Sequence, residues 1–295
     1  MQSVIHYFET INPILAAFYA TLFTWGVTAL GASFVFFFKK MNRAIFDGML
    51  GFTGGVMVAA SIWSLIIPAF EIGEGGIIRK LAAASGIAAE EVVLSMSDKI
   101  SVVLPVIIGF SLGGLFIYLV DKIMPHLHIN FQDSEHEGVK TDWHRTTLLT
   151  LAITLHNIPE GLAIGVMFGG VAAGIDGVTV SGALALAIGI GIQNFPEGIA
   201  VAMPMRRQGL SRWKSFNFGQ LSAMVEPFAA VLGAWAVYTF TPILPYSLAF
   251  AAGAMMYVVV EEVIPETQRD KYTDLATLGF MVGFMVMMTL DVVLG

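Results

Sequence analysis

The sequence predicts an all-α integral membrane protein with eight transmembrane helices, an inverted-repeat character and both termini outside. Three observations predict it. Hydrophobic residues make up 56% of the 295 and charged residues only 13%, against roughly 45–50% and 25% in soluble domains. Uncharged apolar runs long enough to cross a hydrocarbon core of about 30 Å recur along the chain. Two consecutive runs carry the same polar motif near their middles.

The composition also excludes several classes. A mean hydropathy of +0.77 spread over the whole chain rules out a soluble enzyme with a single anchor. A net charge of −7 leaves no basic surface for nucleic acid. The absence of cysteine removes disulfides, thiolate metal sites and cysteine nucleophiles, and leaves the redox compartment open. The first ten residues hold Glu9 and no Lys or Arg, so the apolar stretch behind them lacks the basic region of a cleavable signal peptide and is expected to stay as a membrane helix.

The first three spans are expected at about 11–38, 48–70 and 100–120, and the next two at 146–168 and 178–205. Between 215 and 260 the one charge is Glu226. A single helix over that stretch would be about 69 Å long, and Thr241-Pro242-Ile243-Leu244-Pro245 supplies a break. Two spans are therefore expected, 215–238 and 243–262, followed by a last one at 272–294. The longest outer loop is expected at 71–99, where Gly73, Gly75 and Gly76 cluster, and the longest inner loop at 124–145. Neither is large enough to be a separate domain, so residues 1–295 form one membrane domain.

Orientation follows from the preference of Lys and Arg for cytoplasmic loops. With the N-terminus outside, the inner segments hold Lys39, Lys40, Arg43, Lys122, Lys140, Arg145, Arg206, Arg207, Arg212, Lys214, Arg269 and Lys271. The outer segments hold Arg79, Lys80 and Lys99. Glycines four apart, at Gly51/Gly55, Gly109/Gly113, Gly161/Gly165/Gly169 and Gly279/Gly283, predict close helix contacts, with smooth sliding faces as the alternative.

Span four contains His156-Asn157-Ile158-Pro159-Glu160-Gly161 and span five Gln193-Asn194-Phe195-Pro196-Glu197-Gly198. Positions i, i+1 and i+4 share one side of a helix, so each span presents one polar patch at mid-depth. Because the two spans run in opposite directions, the patches can face each other about an axis in the membrane plane. Glu226-Pro227 of span six lies at a similar depth. Three mid-membrane carboxylates cost about 2.5–3.5 kcal/mol each unless neutralised, and no Lys or Arg lies at that depth. Protons or bound cations must balance them. One imidazole, three carboxylates and several carboxamides suit Zn²⁺ or a neighbouring first-row divalent ion better than Mg²⁺ or Ca²⁺. Pro159, Pro196 and Pro227 would also release the carbonyls of Leu155, Ile192 and Ala223 and bend the helices beside the polar groups.

These paired motifs, in consecutive spans of an eight-span chain with both termini outside, resemble the signature of the ZIP (Zrt-, Irt-like) divalent-metal transporters, most closely the bacterial GufA-like branch. Gly253-Ala254-Met255-Met256 and Glu262-Val263-Ile264-Pro265-Glu266-Thr267 extend the likeness to span seven. The resemblance implies a binuclear metal site. His156, Glu160, Gln193 and Glu197 would line one position with Met57 close by. Asn157, Glu160, Asn194, Glu197 and Glu226 would line the second, the two motif glutamates bridging. Many relatives carry His in place of Gln193 and some carry Asp in place of Asn194, so both positions here offer a neutral, weaker ligand. The resemblance further implies metal transport into the cytosol, with bundles of spans shifting as rigid bodies around the site, in a bacterial cytoplasmic (inner) membrane.

Peripheral candidates are Glu71 and Asp291 at the outer entrance and Asp121, Glu261 and Glu262 at the inner exit. His126 and His128 of the inner loop, with His136 and His144, would receive or sense metal or simply lie in a solvated linker. The expected activity is uptake of Zn²⁺, Fe²⁺, Mn²⁺ or Cd²⁺, Zn²⁺ foremost, by alternating access. The metal is then substrate, not cofactor. The partners are the metal ions and the lipid bilayer, with a homodimer as the candidate assembly. A metal-selective channel would use the same ligands. An intramembrane hydrolase would need an open coordination position and a spare general base, and no further acid stands at that depth, so the chain is not expected to be an enzyme.

Overall fold

The computed structural model of the chain describes residues 2–39, 41–123, 145–268 and 271–294. Among them there is no strand. A short helix, α1 (Gln2–Thr10), precedes α2 (Pro13–Ala32), where the Asn12 side chain accepts the Ile14 N–H and Pro13 takes the first position, at which a missing N–H costs nothing. A 3₁₀ turn, Ser33–Phe36, extends α2. Asn42 caps α3 (Arg43–Ala60) in the same way. That helix passes through a π-helical turn, Ser61–Ile66, into α4 (Ile67–Ser85), which ends at Gly86 with φ 71°. Then come α5 (Met96–Ile123), α6 (Arg145–Ala172) and α7 (Val180–Arg207). α8 (Arg212–Leu221) continues through a 3₁₀ turn into α9 (Val225–Thr239). α10 (Leu244–Val258) passes through a second π-helical turn, Val259–Val263, into α11 (Ile264–Thr267), and α12 (Thr273–Leu294) closes the chain.

Seven helical stretches among the described residues are long and apolar enough to cross a membrane: Pro13–Phe36, Arg43–Ser85, Met96–Ile123, Val180–Arg207, Arg212–Thr239, Thr241–Thr267 and Thr273–Leu294. The stretch expected as span four lies in α6, a further helix of 28 residues. The expected break falls where Thr241-Pro242-Ile243 forms a 3₁₀ turn between α9 and α10.

One expectation is overturned. The outer segment after residue 70 is not loop, because α4 runs on to Ser85 through Gly73, Gly75 and Gly76. Each glycine costs about 1 kcal/mol against Ala, but α4 packs along α5 and α10, and that burial outweighs the local preference. At 1.5 Å per residue the 43-residue stretch Arg43–Ser85 is about 65 Å long, so its end projects well beyond a 30 Å hydrocarbon core. The prolines also behave differently from one another. Pro159 and Pro196 lie inside helices that continue past them, whereas both π-helical turns come just before a proline, Pro68 and Pro265. An extra residue in the turn relieves the clash between the ring and the preceding turn's carbonyl.

The helices group into two bundles. In one, α12 lies along α3, α5 along α10, and α4 against both α5 and α10. In the other, α6 lies along α9, α2 along α7 and α9, and α8 against α7. The bundles meet along α3–α7, α6–α10 and α7–α12. The glycine pattern explains this grouping. A Cβ at Gly165 would strike the backbone of Ala230, one at Gly198 the backbone of Thr28, one at Gly55 that of Phe280, and one at Gly113 that of Phe250. These backbone-on-backbone approaches join α6 to α9, α7 to α2, α3 to α12 and α5 to α10, all within a bundle. Between bundles, Gly189 faces the Met287 side chain and Gly170 the Leu244 side chain. The small residues lock partners together, and softer side chains line the boundary.

Candidate metal centre

The polar patch lies in the bundle of α2, α6, α7, α8 and α9. Asn157, Glu160, Gln193, Asn194 and Glu226 are fully buried, and Glu197 is 8% exposed. The glycine following each motif glutamate allows this depth of packing. Gly161 brings α6 onto the Glu226 backbone, and Gly198 brings α7 onto α2. Glu160 Oε1 accepts a hydrogen bond from Gln193 Nε2. Glu226 Oε1 accepts from Asn194 Nδ2 at 2.7 Å, and its Oε2 accepts from the Thr24 hydroxyl. Asn157 Nδ2 donates to the Ser222 carbonyl at 3.2 Å.

The acceptors outnumber the donors. Glu160 Oε2, Gln193 Oε1, Asn194 Oδ1 and Glu197 Oε2 are buried with no hydrogen-bond partner among the described residues. Oxygens in this state normally cost about 1–3 kcal/mol apiece, more when charged. Four of them gathered on α6 and α7 make a hard-to-neutral donor set that a cation would satisfy. No three His, Asp or Glu side chains among the described residues are gathered tightly enough to hold a metal by themselves. The carboxylates are instead interleaved with carboxamides.

Met57 is buried on α3 of the other bundle. One turn before it on the same helix face, the Thr53 hydroxyl donates to the Gln193 carbonyl at 3.4 Å, which brings that face against the patch. His156 departs from the expected arrangement. Its Nε2 pairs with Glu262 rather than with a motif carboxylate, so the two motifs are not used symmetrically. The π-helical turn that carries Glu261 and Glu262 is the reason, since one extra residue per turn rotates the side chains beyond it. Glu262 thus pairs with His156, one turn before Glu160 on α6, while Glu261 is exposed. Asp291 accepts a hydrogen bond from Ser64 at 2.6 Å, Glu71 is exposed, and Asp121 is buried. His126 and His128, with the rest of the inner loop, lie outside the described residues.

Sequence reasoning missed three groups. Thr24 sits on a face of α2 with Thr21 and Thr28, all buried, and that helical spacing of hydroxyls in an apolar span was a readable signal. Ser64 carried none. Asp47, fully buried, pairs with Arg43 at 2.8 Å, and Arg43 also reaches Glu266 at 3.2 Å, so an ion network ties α3 to α11. The i, i+4 spacing of Arg43 and Asp47 could have shown half of it.

Helices long enough to span a bilayer and a buried, oxygen-rich patch between them define a polytopic helical membrane protein with a centre suited to a cation. Comparison with known proteins narrows the class. The profile of the family described as ZIP zinc transporter matches residues 128–291. The chain is 40% identical to the human zinc transporter ZIP11 over 96% of its own length and 98% of the relative's. It is 36% identical to the zinc transporter GufA of Myxococcus xanthus, covering 95% and 99% of the two chains. It is also 36% identical to the zinc transporter ZIPB of Bordetella bronchiseptica, covering 92% and 79%. The chain belongs to the ZIP zinc transporter family, whose members are transporters and not enzymes.

Proposed function

We propose that this protein carries divalent transition-metal ions, Zn²⁺ foremost, across a bacterial inner membrane into the cytosol. The observation that carries the reading is the set of four buried, partnerless oxygens on Glu160, Gln193, Asn194 and Glu197. In this reading Glu160 and Glu197 bridge two metal positions. Gln193, Met57 and His156 serve one, and Asn157, Asn194 and Glu226 the other. His156 is handed between Glu262 and the metal as the ion moves. The relatives' names support zinc as the substrate.

The mechanism is alternating access. All three buried carboxylates of the patch belong to one bundle, and the backbone-on-backbone glycine contacts that would resist shear lie inside bundles rather than between them. That bundle can move as a body against α3, α10 and α12, exposing the site to one side at a time. In this reading the chain has eight spans, counting α6, so both termini lie on one side, and the concentration of Lys and Arg in the inner segments supports the outside. Purified protein in sealed proteoliposomes tests the reading. Zn²⁺ uptake should saturate at low concentration, exceed that of empty vesicles and vanish in Glu160→Ala. Uptake that rises linearly without saturation would favour a channel, and none at all would overturn transport.

A further inference from the structure

The cations on the two bundles are not treated alike. On the bundle of α3 and α12, Arg43 is engaged by Asp47 and Glu266. At the end of the α2–α7–α8 bundle, Lys39, Arg207, Arg212 and Lys214 are exposed, and among the described residues none has an ion-pair partner. Neither 33–43 nor 205–222 contains an acidic residue, so this end is strongly positive in a chain whose net charge is −7.

The fold brings these cations together. Gly209, at φ 97°, makes the left-handed turn that folds α8 back beside the end of α7. The 3₁₀ turn at the end of α2 packs against both, with the Phe36 ring 4.9 Å from that of Trp213 and 5.5 Å from that of Phe216. Large apolar groups stand exposed among the charges: Phe37 is 79% exposed, Phe38 53% and Trp213 68%. A soluble acidic partner or a free anion would leave those rings in water. The interfacial zone of a bilayer accommodates both, with rings at headgroup depth and cations beside phosphates.

We propose that this end of the α2–α7–α8 bundle is a binding surface for anionic phospholipid headgroups, held by Lys39, Arg207, Arg212 and Lys214 and seated by Phe37, Phe38 and Trp213. The lipid grips the bundle that carries the polar patch, so its headgroup charge acts on that bundle alone.

The test is native mass spectrometry of the full-length protein in neutral detergent, titrated with phosphatidylglycerol or phosphatidylcholine. Each cation near an anionic headgroup contributes roughly five-fold, so wild type should prefer phosphatidylglycerol by more than about ten-fold. The variant Lys39→Gln/Arg207→Gln/Arg212→Gln/Lys214→Gln should lose that preference. Arg79→Gln/Lys80→Gln/Lys99→Gln, at the other end, should keep it. If the fourfold variant does not yield monodisperse protein, Lys39→Gln/Arg212→Gln should show an intermediate preference. Equal binding of the two lipids by wild type, or an undiminished preference in the charge-neutralised variants, would overturn the proposal. Displacement of phosphatidylglycerol by millimolar inorganic phosphate would also overturn it, in favour of a soluble anion site.

Discussion

Replacing Gly161 by Ala should cripple transport without unfolding the protein. A Cβ at this position would lie 2.7 Å from Glu226 Cα and 3.0 Å from Ala229 Cβ. Ordinary carbon–carbon contacts begin near 3.5 Å, so α9 must withdraw from α6 by about 0.8 Å. Overpacking of this kind costs about 1–3 kcal/mol. The better helix propensity of Ala returns about 1 kcal/mol, which leaves a folded protein. The displaced residue is Glu226 itself, and displacing a proposed ligand by nearly 1 Å costs about ten- to a hundred-fold in function. Zn²⁺ uptake into proteoliposomes, normalised to reconstituted protein, should fall by that factor, with a higher half-saturation concentration. Gly114→Ala is the internal control. Its Cβ would meet nothing nearer than 3.7 Å, and its uptake should match wild type. Wild-type uptake by Gly161→Ala would refute both the packing argument and the placement of Glu226 in the transport path.

Glu160→Ala and Glu197→Ala should abolish uptake while the protein still elutes as a folded species, and Asn194→Ala should lower it less, because it removes one neutral ligand. Thr24→Val takes the hydroxyl donor from Glu226 and, at about 1.5–3 kcal/mol for a bond to a charged group, should weaken Zn²⁺ binding measured calorimetrically. Thr24→Ser should restore it. Arg43→Gln removes a partner of the buried Asp47 and should lower the melting temperature in detergent, the cost approaching about 3 kcal/mol. Gly76→Ala, with nothing within 4 Å of the added Cβ, should raise the stability of α4 by up to about 1 kcal/mol.

What could be read in advance divides along a physical line. Apolar runs and the repeated Asn-x-Pro-Glu-Gly motif are local patterns, and they located the helices and the buried carboxylates. The continuation of α4 through Gly73, Gly75 and Gly76 depends on packing against α5 and α10, which no local preference records. The His156–Glu262 pair was hidden because the π-helical turn at Val259–Val263 breaks the 3.6-residue spacing by which faces are assigned. Thr24 and Ser64 are single hydroxyls in apolar spans, and only the helix facing each one decides whether it matters. Asp47 lay one residue before the span's expected start, where a carboxylate looks solvated until α11 is seen to carry Glu266 against Arg43.

Anomalous scattering at the zinc edge, from crystals of the full-length protein grown with Zn²⁺, tests the central claim most directly. A peak should appear within about 2.0–2.2 Å of carboxylate oxygens of Glu160 and Glu197, beside the carboxamide oxygens of Gln193 or Asn194. It should be absent from crystals of Glu160→Ala. Zinc bound elsewhere on the protein, with no peak in reach of either glutamate, would contradict the assignment of the buried patch as the transported ion's site.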